Sequence, residues 1–423
     1  MYAFQRYQQA IDFLEGLSNI PQEKEYMRDR NEPSLYLKRM RYFLGLIHNP
    51  DRHFKFIHIT GTAGKGTVTT MVHEILQTSG KNVGSFTSPF VTTSIEKIRV
   101  GEQYIAPDEL ADIVEYLKPH IDRAYAYGPY GRPSYFELFL AIACVYFQRQ
   151  QCEWVVLEVG LGGRYDATNV IEKPRVTAIT NIDYDHTEVL GKTLKQIGRD
   201  KAGIIKKGSV FFTAEQRPAL LRMFQKICDE KRVALHHIPR EKSYQEYNKA
   251  LAAAITRGLG IDEKHITQGI QRIRLQCRFE IVQRHPLVVL DGAHNRAKIR
   301  STIENLNQLD FQKLLLIIGT ADNKDKASML AQIVPRADHI LFTRFQIKDR
   351  KCAHPKELAL LSKKYLKRGA RIAMLLDPEQ ALGHALKQAH AKDLILVVGS
   401  FFLAGELRKN WIPEEHVLRK RMG

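Results

Sequence analysis

Apolar runs of four to seven residues recur along this chain. Each is broken by glycine or polar residues and followed by a longer stretch with apolar positions three and four apart. The short runs read as buried strands and the longer stretches as amphipathic helices. In the first half the runs lie at 56–59, 82–86, 153–159 and 176–182. After the first run, Val68, Met71, Val72, Ile75 and Leu76 share a helical face that Gly80 ends. Helices are also expected over 108–118, opened by Pro107, and over the strongly apolar 134–148. Residues 1–50 read as helices, interrupted by a charged stretch over 23–33, and a Tyr/Gly/Pro loop is expected over 124–133. A second alternating series has strands at 287–290, 313–318, 338–343, 371–376 and 393–398. Strands that alternate with helices build parallel sheets, with ligands at the C-terminal strand ends. The expected fold class is therefore α/β, in two blocks, 1–278 and 279–423, with a cleft between them.

The first strand runs into Gly61-Thr62-Ala63-Gly64-Lys65-Gly66-Thr67 and then into the helix. Glycines let backbone N–H groups approach an anion, and a helix N-terminus adds positive potential. Lys65 would reach the β- and γ-phosphates of a nucleotide, and Thr67 would ligate Mg²⁺. The spacing departs from the common phosphate loop. Two residues rather than four separate the first Gly from Gly-Lys, and Gly66 stands between Lys65 and Thr67. The bland alternative is a tight turn.

Other polar groups stand at the ends of the neighbouring runs. Ser88 follows the second. Glu158 ends the third and leads into a Gly-Leu-Gly-Gly run that permits close approach to a ligand. A carboxylate there can supply the oxygen ligand that Mg-ATP needs, or simply be solvated. Asp185-His186 follows the fourth, where His186 can be a metal ligand, a phosphate donor or a loop histidine. Lys201 is expected early on a short helix in a mostly apolar setting, or as an exposed lysine. In the second block, Asp291-Gly292-Ala293-His294-Asn295 follows a strand, and Asn295 can be a helix cap. Arg278 stands just ahead of it, at the junction, where arginine can reach phosphate.

Composition narrows the classes. The chain has 423 residues, 44% of them hydrophobic, and no apolar run reaches the ~18 residues of a membrane helix. The N-terminus is amphipathic and carries acids, unlike a signal peptide. Five cysteines without a CxxC pair fit a reducing cytoplasm and argue against a cysteine metal cluster. The net charge of +18, from 64 Lys+Arg against 46 Asp+Glu, reads as a solvated basic surface or as affinity for acidic ligands. The basic residues are dispersed and no nucleic-acid-binding pattern occurs, so nucleic acid and membrane are not expected partners.

Taken together and in order, the stretches ITGTAGKGT, FTSP, EKIRV, SYFELFLAIA, LEVGLGGRYDATNVI, ITNIDYDHTEVLGKTLKQIGRDKAGIIKKG, RFEIV, VVLDGAHN and GSFFLAGELR resemble the folylpolyglutamate synthase/dihydrofolate synthase family of the Mur ligases. They span residues 59 to 408, nearly the whole chain. The resemblance implies a P-loop ATPase domain followed by a Rossmann-like domain. It implies an ATP-dependent ligase that converts a folate or dihydropteroate carboxylate to an acyl phosphate and joins it to L-glutamate. By motif, Gly61, Thr62, Gly64, Lys65, Gly66 and Thr67 would hold the ATP phosphates. Thr67, Ser88 and Glu158 would hold a first Mg²⁺. His186 would hold a second, together with Lys201, the lysine that is carbamylated in the family. Asn248, Arg278, Asp291 and His294 would contact ATP, and Ser400 would lie near the glutamate site. A cytoplasmic monomer is expected.

Several departures bear on these expectations. Ala63 replaces the family's usual Asn, Phe90 a frequent His, and Cys277 the Gly before Arg278. The stretch 208–248 looks short, so strands that normally lie there are expected to be missing. Tyr125, Tyr127, Tyr130 and Phe136 could cover a pterin ring or serve as loop packing and core. The alternatives are a Mur-type ligase with a non-folate substrate, and a nucleotide-binding protein without catalysis.

Overall fold

The structure is a computed structural model that describes residues 2–19, 33–347 and 351–422. Most of the expected charged interruption over 23–33 lies outside the described residues. The chain divides into two compact units. The first comprises residues up to Phe90, Ser94–Ile273 and Leu418–Met422; the second comprises Val91–Thr93 and Arg274–Val417. The main crossing thus falls a few residues ahead of 278.

The first unit holds β1 (Lys55–Thr60), β2 (Val83–Phe86), β3 (Ile98–Val100), β4 (Gln103–Tyr104), β5 (Trp154–Glu158), β6 (Val176–Ile179), β7 (Val210–Thr213) and β8 (Ala234–His237). Among the described residues they form one sheet in the order β4-β3-β2-β5-β1-β6-β7-β8. Six strands run parallel, and β3 pairs antiparallel with both β2 and β4. β1 is buried from its second residue to its last, as a strand covered on both faces must be. The helix Lys65–Thr78 packs on it through Val68, Met71, Val72, Ile75 and Leu76, and the helix Tyr244–Gly258 adds Leu251, Ala252 and Ile255 to the same core.

Register sets the working edge. Ile59 of β1 pairs with Glu158 of β5, and Thr60 with Ile179 of β6. Phe86 of β2 pairs with Leu157. The ends of four strands far apart in sequence therefore sit side by side.

Two expectations are corrected here. The stretch 208–248 does carry strands: β7 and β8, joined by the helix Pro218–Lys231, extend the sheet. Their runs are short, and β8 is mostly exposed, which weakens the apolar signal. The helix expected over 108–118 runs on to Tyr127, through Pro119. Its buried stripe runs up to Leu117 and continues past the proline as Ile121 and Ala124, and that burial outweighs the proline's cost. Tyr125 and Tyr127 are thus helical and exposed, and Tyr130 packs edge-on against Tyr42.

The second unit holds β9 (Glu280–Arg284), β10 (Leu287–Leu290), β11 (Leu314–Ile318), β12 (His339–Phe342), β13 (Arg371–Met374) and β14 (Leu394–Val398). Their order is β13-β12-β11-β14-β10-β9, all parallel except β9, which folds back on β10 as a hairpin. Among the described residues, no helix is long and apolar enough to cross a membrane.

A buried ion pair ties the N-terminal helices to this frame. Arg39, on the helix Ser34–Leu46, reaches Glu137 through two nitrogens at 2.9 Å, and Glu137 also closes a capping box with Ser134. Removing one partner strands a buried charge. Arg39→Ala should cost about 3 kcal/mol in urea unfolding, and Arg39→Met with Glu137→Leu clearly less. A cost for Arg39→Ala below ~1 kcal/mol would show that water reaches the pair.

Candidate active site

The loop after β1 is shaped by two glycines. Gly61 has φ 151°, and a side chain there would collide with the Thr180 hydroxyl. Gly64 has φ 82°, and a Cβ there would strike the Asn248 side-chain oxygen. Both positions exclude other residues by contact and by backbone. The helix begins at Lys65, with Gly64 as its N-cap. The first-turn amides of such a helix lack intrahelical partners and face outward as an anion cradle. Lys65 curls over the loop, its Nζ donating to Gly61 O at 3.2 Å, and Thr67 is buried.

The strand end beside it pins this loop. The Thr62 amide donates to Asn181 O at 2.9 Å, and the Ala63 amide to Asn181 Oδ1 at 2.9 Å. The Thr180 hydroxyl donates to Ala63 O at 2.6 Å, and the Asp183 amide to Thr62 Oγ1 at 2.9 Å. Sequence reading missed Thr180 and Asn181. Their position at the end of the fourth apolar run was the available signal. Ala63 lacks a polar side chain, but its amide is held by Asn181.

Ser88 and Glu158 meet: the Ser88 amide donates to Glu158 Oε2 at 3.0 Å, and Glu158 is 3% exposed. The glycine run after Glu158 serves packing rather than open approach to a ligand. A side chain at Gly162 would strike the Asp200 carboxylate, and one at Gly163 would sit 2.6 Å from Lys201 O. Phe136, half-buried, packs on Gly160 with its ring 5.6 Å from that of Phe86. Asp166 closes the loop by accepting from the Leu161 and Thr168 amides at 2.8 and 3.0 Å.

Lys201 ends the helix Leu194–Lys201 rather than beginning it, because Thr193 and Gln196 form the capping box that starts the helix. It is buried, and its surroundings are charged rather than apolar. Burial first, and the Lys65 charge second, push its amine down to about 7, while Asp185, Asp200 and Asp166 oppose the shift. His186 takes a left-handed backbone (φ 50°) ahead of the short helix Thr187–Leu190. Its ring lies 3.8 Å from both Asp185 and Glu188. Among the described residues, no three His, Cys, Asp or Glu side chains form a ready metal cage. A divalent ion would instead draw on Glu158, the hydroxyls of Thr67 and Ser88, and phosphate oxygens, a hard oxygen set suited to Mg²⁺.

The second unit has its own polar cluster. Asp291 follows β10 and is half-buried, and the desolvation of its carboxyl pushes it up to about 6. It accepts from the Ala293 amide at 2.9 Å and the Thr302 hydroxyl at 3.0 Å. His294 Nε2 lies 3.1 Å from Lys298 Nζ, and its ring meets Phe401 edge-on. The Arg278 guanidinium stands 4.9 Å over the same Phe401 ring. Cys277 is left-handed at φ 48°, which explains why glycine is usual there. Its amide donates to Glu280 at 2.8 Å, and Arg408 clamps Glu280 from the other side. Asn295 caps the helix Arg296–Leu306, and Ser400 caps the helix Phe401–Arg408. Parallel pairing of β10 with β14 brings Asp291 and Ser400 to one edge of this sheet.

A glycine loop between a central parallel strand and a helix, with a buried lysine and carboxylates beside it, defines a nucleotide-binding α/β protein. The Mur ligase glutamate ligase domain family matches residues 277–401. A folylpolyglutamate synthase of Lacticaseibacillus casei is 30% identical over 330 residues, covering 68% of this chain and 77% of that one. A dihydrofolate synthase/folylpolyglutamate synthase of Bacillus subtilis is 29% identical over 413 residues, covering 88% and 94%. A solved bifunctional folylpolyglutamate synthase/dihydrofolate synthase with Mn, AMPPNP and L-glutamate bound matches with TM-score 0.77 at 28% identity, covering 88% of this chain and 93% of that one. The chain belongs to the folylpolyglutamate synthase/dihydrofolate synthase family of Mur ligases.

The loop geometry carries a direct consequence. Gly64→Ala forces a Cβ into Asn248 at a left-handed position, so titration calorimetry should show AMPPNP affinity reduced about tenfold or more. Unchanged affinity would place the phosphates elsewhere.

Proposed function

We propose that the protein is an ATP-dependent ligase that joins L-glutamate to the carboxylate of dihydropteroate or of a reduced folate. The observation that carries this reading is the convergence at one sheet edge of the Lys65 loop, the Ser88–Glu158 contact and the buried Lys201. The names of the relatives, and the AMPPNP, Mn and L-glutamate in the solved one, support it.

In this reading the loop amides and Lys65 hold the β- and γ-phosphates, and Asn248 borders the loop. A carboxylate oxygen of the pterin substrate attacks the γ-phosphorus, the bond to the ADP oxygen breaks, and an acyl phosphate forms. The neutral amine of glutamate attacks the acyl carbon. The tetrahedral adduct loses phosphate and a proton and leaves an amide. The protein's share is positioning and charge neutralisation. We assign Thr67, Ser88 and Glu158 to one Mg²⁺, and His186 and Lys201 to a second. Bound metal would supply neutralisation of phosphate charge. Arg278, Asp291 and His294 are assigned to nucleotide contact, and Ser400 to the glutamate side, on their motifs.

Lys201 is assigned as a carbamate. Its amine would add carbon dioxide and release a proton, turning a buried cation into an oxygen ligand. The reaction needs the neutral amine. An ordinary lysine is protonated at neutral pH, whereas one at about 7 is half neutral there. With ¹³C-bicarbonate, a lysine-carbamate resonance should appear in the native protein and grow from pH 6 to 8. It should vanish in Lys201→Ala, together with most activity, and bicarbonate should not restore turnover. Near-normal turnover in Lys201→Ala would remove the assignment.

The substrate is tested with purified protein, Mg-ATP, L-glutamate and either dihydropteroate or tetrahydrofolate, following phosphate release and product mass. One added glutamate on at least one acceptor is expected. Glutamate-dependent turnover with neither, but with another acid, would overturn the folate reading.

A further inference from the structure

A second basic concavity lies at the opposite edge of the first unit's sheet. Its walls come from the amino-terminal ends of three parallel strands: Lys55 opens β1, Arg175 precedes β6, and Gly208 precedes β7. The cavity measures about 840 Å³ and is lined by Lys55, Lys173, Arg175, Lys206, Lys207 and Lys231. Glu172 is the acid among the described lining residues. Lys55 is already paired with Glu153 at 2.6 Å. Five cations therefore face one carboxylate around a partly open concavity, a local excess that favours a polyanion.

Two of the amines are fixed in place. Lys206 Nζ donates to Asn169 O at 2.7 Å and to Ile171 O at 2.8 Å, which leaves one of its three protons free. Lys231 Nζ donates to Ile205 O. All three acceptors are neutral carbonyls, so none of these hydrogen bonds cancels charge. Burial first, then the Lys231 and Arg41 charges, push Lys206 down to about 8, with Glu172 opposing. The cluster is thus held together against its own repulsion, and a bound anion would relieve it. Lys173, Arg175 and Lys207 are exposed at the mouth. Phe54, Pro174 and Ile205 give an apolar wall. Four of the five cations are lysines, compact point charges that suit tetrahedral phosphate better than the bidentate carboxylate recognition typical of arginine.

We propose that this pocket binds a small ligand carrying two or more phosphates, independently of the nucleotide loop at the other edge of the sheet. The shared chemistry is a phosphate chain, whether free or attached to a nucleoside.

The test is titration calorimetry on the full chain in the Lys65→Ala background, without divalent metal, so that the nucleotide loop is weakened. The probes are tripolyphosphate, ATP and citrate. Tripolyphosphate should bind at one site per chain. Adding Lys173→Ser and Lys207→Ser should weaken it about tenfold or more and flatten its salt dependence. These side chains are exposed, so the variant should keep its melting temperature, and turnover with Lys65 restored should match the native protein. Tighter binding of ATP than of tripolyphosphate would identify a nucleoside-borne chain resting on Phe54. Equal or weaker binding would identify the free form. Absence of tripolyphosphate binding, affinity unchanged by the double substitution, or citrate bound as tightly would each overturn the proposal. Binding is read directly, so failure of the ligase reading would leave this result standing.

Discussion

The parallel register of β1 against β5 and β6 is the constraint on which the site depends. Ile59 opposite Glu158 and Thr60 opposite Ile179 place the glycine loop, the Glu158 carboxylate and the Thr180-Asn181 pair on one edge. A one-residue slip would turn every side chain to the other face. It would also separate Ala63 from Asn181 and Gly61 from Thr180. Burial of β1 from its second residue to its last holds that register.

Electrostatics then decide what the edge can do. Lys65 and Lys201 lie close enough for one charge to depress the other's proton affinity, while Asp185, Asp200 and Asp166 work against it. A buried amine among mixed charges is poised between cation and neutral nucleophile. The glycine run after Glu158 makes this possible, because the missing Cβ atoms let the Asp200 carboxylate come near Gly162 and the Asp200-Lys201 backbone come near Gly163.

The second unit solves a similar problem with strain. Cys277 and Phe279 both adopt left-handed backbones on either side of Arg278. Such conformations cost about 1 kcal/mol or more each and persist only where surroundings over-determine them. Here the Gly292 amide donates to Cys277 O at 2.7 Å, while Glu280 accepts from the Cys277 amide and is itself held by Arg408. The result presents Arg278 over Phe401, near Asp291 and His294.

Periodicity determined the α/β class and the central strands, because long apolar runs and 3.6-residue spacing are local properties. Local composition also marked the glycine loop, Glu158, Asp291 and the Asn295 cap. What was not local escaped. β3, β4 and β9 are two to five residues long and gain their stability from neighbours. The helix through Pro119 survives because its far half is buried, a tertiary gain that outweighs a local penalty. Thr180 and Asn181 look like any strand-to-loop residues until β6 is placed beside β1. The burial of Lys201 depends on a glycine run some forty residues earlier in the chain. The sequence by itself determined which residues could bind phosphate. Only the tertiary structure decided which of them share an edge, because strand register, burial and the field of distant charges arise when the sheet closes around them.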